Sequence, residues 1–382
     1  MKKSILRVGA LAAASMLALS ACAEAPDTDP TADPGDDATT AAEDPTDAET
    51  DAPEPDGEAV DFKACMVSDF GGFDDKSFNE TSYNGLLQAR DELGIEIGQI
   101  ESNAESEYAG NIQSQIDAGC NIIITVGFAL ANATEAAAQQ NPDVDFAIVD
   151  FNSFEGVDNV KGLLFNAAEP GFLAGYASAA VSETGTIGTF GGANYPTVSI
   201  FMDGFEQGAL HYNEVKGESV QVLGWSEAEQ DGQFIGGSDP FGDIPGGKNT
   251  AATLIAQGAD VIMPVAGPAG QGALQAAQES GGNVVAVWVD TDGTISAPEF
   301  ADVILTSVEK AMDVAVFEAI RDSMDGQLDP TEYVGTLENG GVALSPFHAF
   351  EDTLPEGLLG ELEELEAQII AGEIEITSPS QP

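Results

Sequence analysis

From Phe62 onward the chain alternates between two hydrophobic rhythms. Apolar runs such as residues 64–68 and 122–126 are short and continuous, as expected of strands covered on both faces. Between them, residues 78–93 place Tyr83, Leu86, Leu87 and Leu93 near helical spacing. The pattern predicts strands at 64–68, 95–100, 122–126 and 144–149, with helices at 78–93, 108–118 and 129–140. It then repeats, with strands expected at 162–165, 186–190, 220–225, 261–265, 284–289 and 303–306. Helices are expected at 169–181, 198–212, 250–256, 271–280 and 308–323, and a last one, acidic on its outer face, near 357–370. Strands alternating with helices imply parallel sheets with helices on both sides. There are too many strands for one compact sheet, so two similar α/β lobes are the better account.

Such lobes bind ligands beyond the carboxyl ends of their strands, where strand order reverses. The loops that follow strands here combine glycines with carboxylates and aromatics: Asp69-Phe70-Gly71-Gly72-Phe73-Asp74-Asp75, Gly127-Phe128, Asp150-Phe151-Asn152, Gly191-Gly192-Ala193-Asn194, Gly267-Pro268-Ala269-Gly270 and Asp290-Thr291-Asp292. Glycines let a backbone approach a ligand closely, and the other side chains offer hydrogen bonds and flat apolar faces. A small polar solute carrying a ring suits that set.

The first 61 residues have a different character. Lys2, Lys3 and Arg7 precede a short apolar stretch over residues 8–19, too short to span a bilayer comfortably. Residues 1–21 therefore read as a secretory signal, ending in Leu19-Ser20-Ala21-Cys22. That ending resembles a bacterial lipobox, which implies cleavage before Cys22 and a diacylglyceryl group on its thiol, enough for stable anchoring. An ordinary signal peptide with an incidental Cys is the alternative. Residues 22–61, rich in Asp, Glu, Thr, Ala and Pro, read as an acidic disordered tether, because such a stretch buries too little surface to offset its chain entropy.

Charge narrows the partners. The 382 residues carry 66 acids against 11 bases, a formal charge of −55. Nucleic acid is excluded as a partner, since phosphate binding needs lysines and arginines. Cys65 and Cys120 remain in the folded body, in neighbouring strand-like regions, and form either a disulfide or two buried free thiols. Neither they nor His211 and His348 show the spacing of a metal site. No cofactor is expected. An enzyme is disfavoured because G-x-S-x-G and P-loop patterns are missing and neither histidine lies in a strand-end loop.

The ordered series of short motifs is more specific than any one of them. Asp69-Phe70-Gly71-Gly72-Phe73-Asp74-Asp75-Lys76-Ser77-Phe78-Asn79-Glu80 resembles the first motif of the basic membrane lipoprotein family, the PnrA-like solute-binding proteins. Further similarities follow in order at Phe205-Glu206-Gln207-Gly208, Phe241-Gly242-Asp243, Gly247-Lys248, Gly258-Ala259-Asp260-Val261-Ile262, Gly267-Pro268-Ala269-Gly270-Gln271-Gly272, Trp288-Val289-Asp290-Thr291-Asp292 and Thr306-Ser307-Val308-Glu309-Lys310. The similarity spans about residues 62–372.

The resemblance implies a type I periplasmic-binding-protein fold: two doubly wound parallel-sheet lobes joined by three crossovers and a hinge. The lobes are expected at 62–165 with 293–328 and at 166–292 with 329–350, leaving 351–382 as a closing helix and tail. It implies a lipid-anchored protein on the outer face of the bacterial cytoplasmic membrane. It would be a monomer, capturing a purine nucleoside or similar solute for an ABC permease and ATPase.

Carried over by residue, Asp69 would bond the base edge, Phe78 would stack on the base, and Asn79 would line the same wall. Gly127 and Phe128 would line the first lobe's side, and Asp150 would accept a hydrogen bond at its strand end. Phe241, or Trp225 or Phe234 in its place, would give the second ring face, and Gly267 a close backbone contact. Asp290 and Lys310, the latter at a helix start, would hold the ribose hydroxyls, with Asp292 near enough to share the work. A sugar receptor of the same fold, a ligand-binding sensor and a nucleoside hydrolase-like enzyme stand as alternatives.

Overall fold

The computed structural model describes residues 60–382. The expected signal segment, the expected lipidation site Cys22 and the expected tether up to residue 59 lie outside the described residues. The first run of elements is β1 (Lys63–Ser68), α1 (Phe78–Leu93), β2 (Glu96–Ile100), α2 (Tyr108–Asp117), β3 (Ile122–Val126), α3 (Ala131–Gln140), β4 (Asp145–Val149) and β5 (Val160–Phe165). The second begins with α4 (Ala168–Val181), β6 (Thr186–Gly191), α5 (Pro196–Lys216), β7 (Gln221–Leu223) and the two-residue strands β8 (Trp225–Ser226) and β9 (Asp231–Gly232). It continues with α6 (Ile244–Ala256), β10 (Val261–Val265), α7 (Gln271–Glu279), β11 (Val285–Asp290), α8 (Gly293–Ser296) and β12 (Ile304–Lys310). The chain closes with α9 (Met312–Met324), β13 (Tyr333–Gly335), β14 (Val342–Leu344) and α10 (Leu358–Ile370).

Two six-stranded sheets result. One runs β13-β5-β4-β3-β1-β2, the other β14-β12-β11-β10-β6-β7. All pairs in them are parallel except β12 with β14. The apolar runs at β3 and β10 are buried along their whole length, which is why they show no alternation in the sequence. This is the two-lobed periplasmic-binding architecture that the resemblance implies. Strand order reverses between β1 and β3 in one sheet and between β6 and β10 in the other. Both reversals open on the loops that the sequence marks as functional.

The end of the chain corrects two expectations. The helix expected from residue 308 starts at Met312, because β12 runs on to Lys310. Val308, Glu309 and Lys310 pair with Leu344, Ala343 and Val342 of β14, and that ladder holds the mixed polar run extended. The lobe boundaries move accordingly. β12 lies in the second sheet, not in the first lobe as 293–328 would have it, and β13 lies in the first sheet, although it falls within the span 329–350 expected in the second lobe. The chain crosses between sheets after β5, after β12 and after β13. α9 returns to the first lobe and packs on α1, where Gly85 allows contact: a Cβ there would stand 2.3 Å from the Asp313 carbonyl oxygen. α10 packs on α4 of the second lobe.

Cys65 and Cys120 are joined, with their Cα atoms 5.9 Å apart. Their bond ties the middle of β1 to the residue that leads into β3. Among the described residues no helix is long and apolar enough to cross a membrane.

Candidate functional site

The site begins with how α1 starts. The Asp75 carboxylate accepts from the backbone N–H groups of Ser77, Asn79 and Glu80, each at 3.0 Å. It thereby satisfies donors that a helix start leaves open. Burial nevertheless pushes its pKa up to about 6, against the pull of those bonds. The cap fixes Phe78 and Asn79 at the mouth of the first sheet. The Asn79 amide nitrogen donates to Asp69 Oδ1, to the Phe70 carbonyl at 3.0 Å and to Asp75 Oδ2 at 3.3 Å. Those acceptors fix the orientation of the amide, so its oxygen faces the other way. Asn79 is 1% exposed and its Oδ1 has no partner in the protein. A buried acceptor left open beside a cleft is a place for a ligand donor.

Asp69 lies alongside, and burial pushes its pKa up to about 8, the bond from Asn79 opposing the shift. It is therefore largely protonated at neutral pH and able to donate as well as accept. Gly127 makes room for it. With φ at 108°, Gly127 has a conformation suited to glycine, and a Cβ there would stand 2.2 Å from Asp69 Oδ2. Gly127 thus sits behind Asp69 and does not itself line the cleft.

A second group of charges gathers where β4, β11 and β12 end. Asp150 follows β4 and Asp290 ends β11, and both take left-handed backbone conformations, with φ at 61° and 73°. Aspartate tolerates that region better than most residues, and such turns recur at functional sites. Lys310 Nζ donates to Asp150 Oδ2 at 2.7 Å and lies 3.3 Å from Asp290 Oδ1. The other Asp290 oxygen accepts from Ser77 Oγ at 2.6 Å. Lys310 is 4% exposed and lies 4.9 Å from the Phe78 ring centre and 5.2 Å from that of Phe201. Burial works against its charge, but Asp150 and Asp290 outweigh it and hold its pKa above the ordinary lysine value. Lys310 reaches this place because it ends a strand, at the crossover between lobes.

These groups and the aromatics line one cleft between the strand ends of the two sheets. Nine of the ten sequence-predicted residues line it: Asp69, Phe78, Asn79, Phe128, Asp150, Phe241, Gly267, Asp290 and Lys310. Phe241 and neither alternative takes the second lobe's place. Trp225 is buried with its Nε1 on Asp203 at 2.9 Å, and Phe234 packs edge-on against it. Asp292 caps α8 and bonds His348 Nε2 at 2.7 Å, outside the cleft lining. Lys248 pairs with Glu279 on the surface.

Sequence reasoning missed Thr197, Val198 and Phe201 on the first turns of α5, and Tyr195 before it. The Tyr195 ring lies 4.5 Å from that of Phe128 and 6.3 Å from that of Phe241, bridging the two lobes. Pro196, a helix-starting residue, was the available signal that α5 begins two residues earlier than its apolar pattern suggests.

Comparison with known proteins agrees with the fold and gives the family. The family model described as ABC transporter substrate-binding protein PnrA-like matches residues 62–379. The chain is 34% identical to Basic membrane protein A of Borreliella burgdorferi over 65% of this chain and 68% of that protein. It is 31% identical to the ABC transporter nucleoside-binding protein BmpA of Lactococcus lactis subsp. cremoris over 75% of this chain and 82% of that one. A solved solute-binding protein of an ABC transporter system from Aeropyrum pernix superposes with a TM-score of 0.71 at 26% identity, covering 83% of this chain and 94% of that one. With a match across nearly the whole folded body, the chain belongs to the Bmp family of PnrA-like ABC transporter substrate-binding proteins.

Proposed function

We propose that the cleft captures a purine nucleoside, or a closely similar ring-bearing solute, and presents it to an ABC permease without transforming it. The observation that carries this reading is the pairing of two unlike ends in one cleft: the open Asn79 acceptor beside the Asp69 carboxyl, and a lysine shared by two aspartates under aromatic rings. A base edge has both donors and acceptors, so Asn79 Oδ1 and Asp69 can meet it. Phe78 and Phe241 supply ring faces, and an aromatic pair adds roughly 0.5–1.5 kcal/mol beyond area burial. Ribose hydroxyls can donate to Asp150 and Asp290 while accepting from Lys310. One lysine among Asp69, Asp75, Asp150 and Asp290 leaves little attraction for a phosphate, so nucleotides are expected to bind poorly. The nucleoside-binding relative from Lactococcus supports the same class.

A lipid anchor at Cys22 and a place on the outer face of the cytoplasmic membrane belong to this proposal, and so does action as a monomer. They rest on the signal-like start of the sequence and on the family. Calorimetric titration of the full chain with adenosine, guanosine, inosine, cytidine, uridine and ribose tests the ligand. Saturable binding of purine nucleosides is expected. Binding of ribose alone would move the protein to the sugar receptors, and release of free base would make it a hydrolase.

A further inference from the structure

Beside the Asp150–Lys310 pair the cleft meets a second space. Five residues line both: Phe128, Asp150, Thr197, Phe201 and Lys310. This chamber measures about 860 Å³, open mouth included, which is more room than the cleft itself offers. Leu164, Phe165 and Ile200 give it apolar walls, and Phe151 and Asn152 follow from the loop after β4. The charged side chains on its lining are Asp150 and Lys310, paired with each other, and Asn152, Thr197, Ser380 and Gln381 add uncharged polar groups at its edge.

The remaining wall is the segment 379–382. It is held in place through α5. Ser378 Oγ donates to Asp203 Oδ2 at 2.5 Å, and Ser380 Oγ lies 2.8 Å from Ser199 Oγ. Gln207 accepts from the Thr377 N–H at 3.1 Å and donates to its carbonyl at 2.5 Å. The helix that carries Thr197 and Phe201 into the cleft therefore also fixes the segment that closes the chamber.

We propose that this chamber is a second subsite, taking a neutral, largely apolar substituent carried on the sugar end of the ligand. The inference rests on the nucleoside reading above and narrows its substrate class: purine nucleosides extended from the sugar. With Asp290 and Lys310 engaging the ring hydroxyls, the 5′ carbon is the position free to carry such a group. The apolar lining favours burial of hydrocarbon or thioether, and the paired charges offer no cation to an anionic extension.

The test compares adenosine, 5′-deoxyadenosine and 5′-butylthio-5′-deoxyadenosine by calorimetry on the full chain, with the guanosine counterparts in parallel. The 5′-deoxy compound separates loss of the hydroxyl from gain of the substituent. The butylthio compound is expected to bind roughly tenfold tighter than the 5′-deoxy compound, from buried apolar surface. Two variants locate the effect. Asn152→Trp puts bulk at an exposed chamber wall and is expected to remove the gain while leaving adenosine unchanged. Deletion of residues 379–382 opens the chamber and is expected to reduce the gain. Adenosine binding with the butylthio compound a hundredfold weaker would overturn the subsite and leave the nucleoside reading standing. So would a gain that neither variant alters. Failure of every unextended nucleoside to bind would overturn the nucleoside reading, and the subsite with it.

Discussion

The two lobes are built on one plan and furnished differently. Each sheet has the order second, first, third, fourth, fifth strand, as β2-β1-β3-β4-β5 and β7-β6-β10-β11-β12. Each places an aspartate in a left-handed turn at the end of its fourth strand, Asp150 in one and Asp290 in the other. The loops after the first strands part company. After β1 come Asp69, Asp75 and Asn79, a polar set wired together by hydrogen bonds. At the end of β6 stands Gly191-Gly192, where a Cβ on Gly192 would stand 2.6 Å from the Phe241 ring, followed by Thr197, Val198 and Phe201. The common topology thus delivers a symmetric clamp. The loops differ in what they add: the hydrogen-bonded polar set lies in the first lobe, while aromatic faces come from both, Phe78 and Phe128 from the first and Phe201 and Phe241 from the second.

The clamp is where the lobes are most alike, and breaking it should have the largest effect. Lys310→Met leaves Asp150 and Asp290 buried side by side without their cation. Removing one partner of a buried ion pair typically costs about 3–5 kcal/mol. The variant is expected to lose stability of that order in denaturant titration, and calorimetry should show at least a hundredfold weaker ligand binding. The two aspartates are not equivalent, since Asp290 also takes the hydroxyl of Ser77 from the opposite lobe. Asp290→Asn should therefore weaken binding more than Asp150→Asn. Equal losses would mean that the Ser77 bond adds nothing to closure.

The aromatic faces give the next contrast. Phe78 both lines the cleft and sits 4.9 Å from the Lys310 ammonium, so its loss removes a stacking face and a cation–π contact together. Phe78→Ala is expected to weaken binding by roughly ten- to a hundredfold. Phe241 is backed by Tyr195, whose ring is nearly parallel to it at 6.3 Å and can move into the vacancy. Phe241→Ala should cost several-fold less than Phe78→Ala. A larger loss for Phe241 would make the second lobe the principal stacking wall and leave the first lobe mainly to hydrogen bonding.

How far the sequence revealed this arrangement depends on what kind of signal each residue leaves. Strands and their end loops were legible because buried parallel strands write continuous apolar runs and glycines mark close approach. That is enough to find Asp69, Asp150, Gly267 and Asp290. Lys310 was named through its motif but placed on the wrong element, because Thr306-Ser307-Val308-Glu309-Lys310 is too polar to read as a strand. Pairing with β14, thirty-odd residues away, is what holds it extended. Tyr195 and Phe201 left no local mark, since an aromatic near a helix start looks the same facing a core or a cleft. The interleaving of β13 and β14 between sheets depends on contacts across more than a hundred residues in the case of β13 with β5, which periodicity does not record.

The smallest effect should come from Asp69, a polar reader with no counterpart at the glycine pair at the end of β6. Burial raises its pKa to about 8, so the folded protein keeps a proton that the unfolded chain gives up near the ordinary carboxyl value. Between roughly pH 4 and pH 8 the native state holds more protons than the unfolded one, and stability falls as pH rises through that window. Asp69→Asn keeps a neutral group of the same shape and removes that titration. Melting temperatures of the two proteins should agree near pH 4 and diverge upward, the variant being the more stable by pH 9. The raised Asp75 value acts in the same direction but is present in both proteins, so it drops out of the difference. At pH 7, where Asp69 is largely protonated, the substitution should change ligand affinity only a few-fold. A flat difference in melting temperature across the range would mean that Asp69 is ionised in the cleft, and that the first lobe reads its ligand with a carboxylate that only accepts hydrogen bonds.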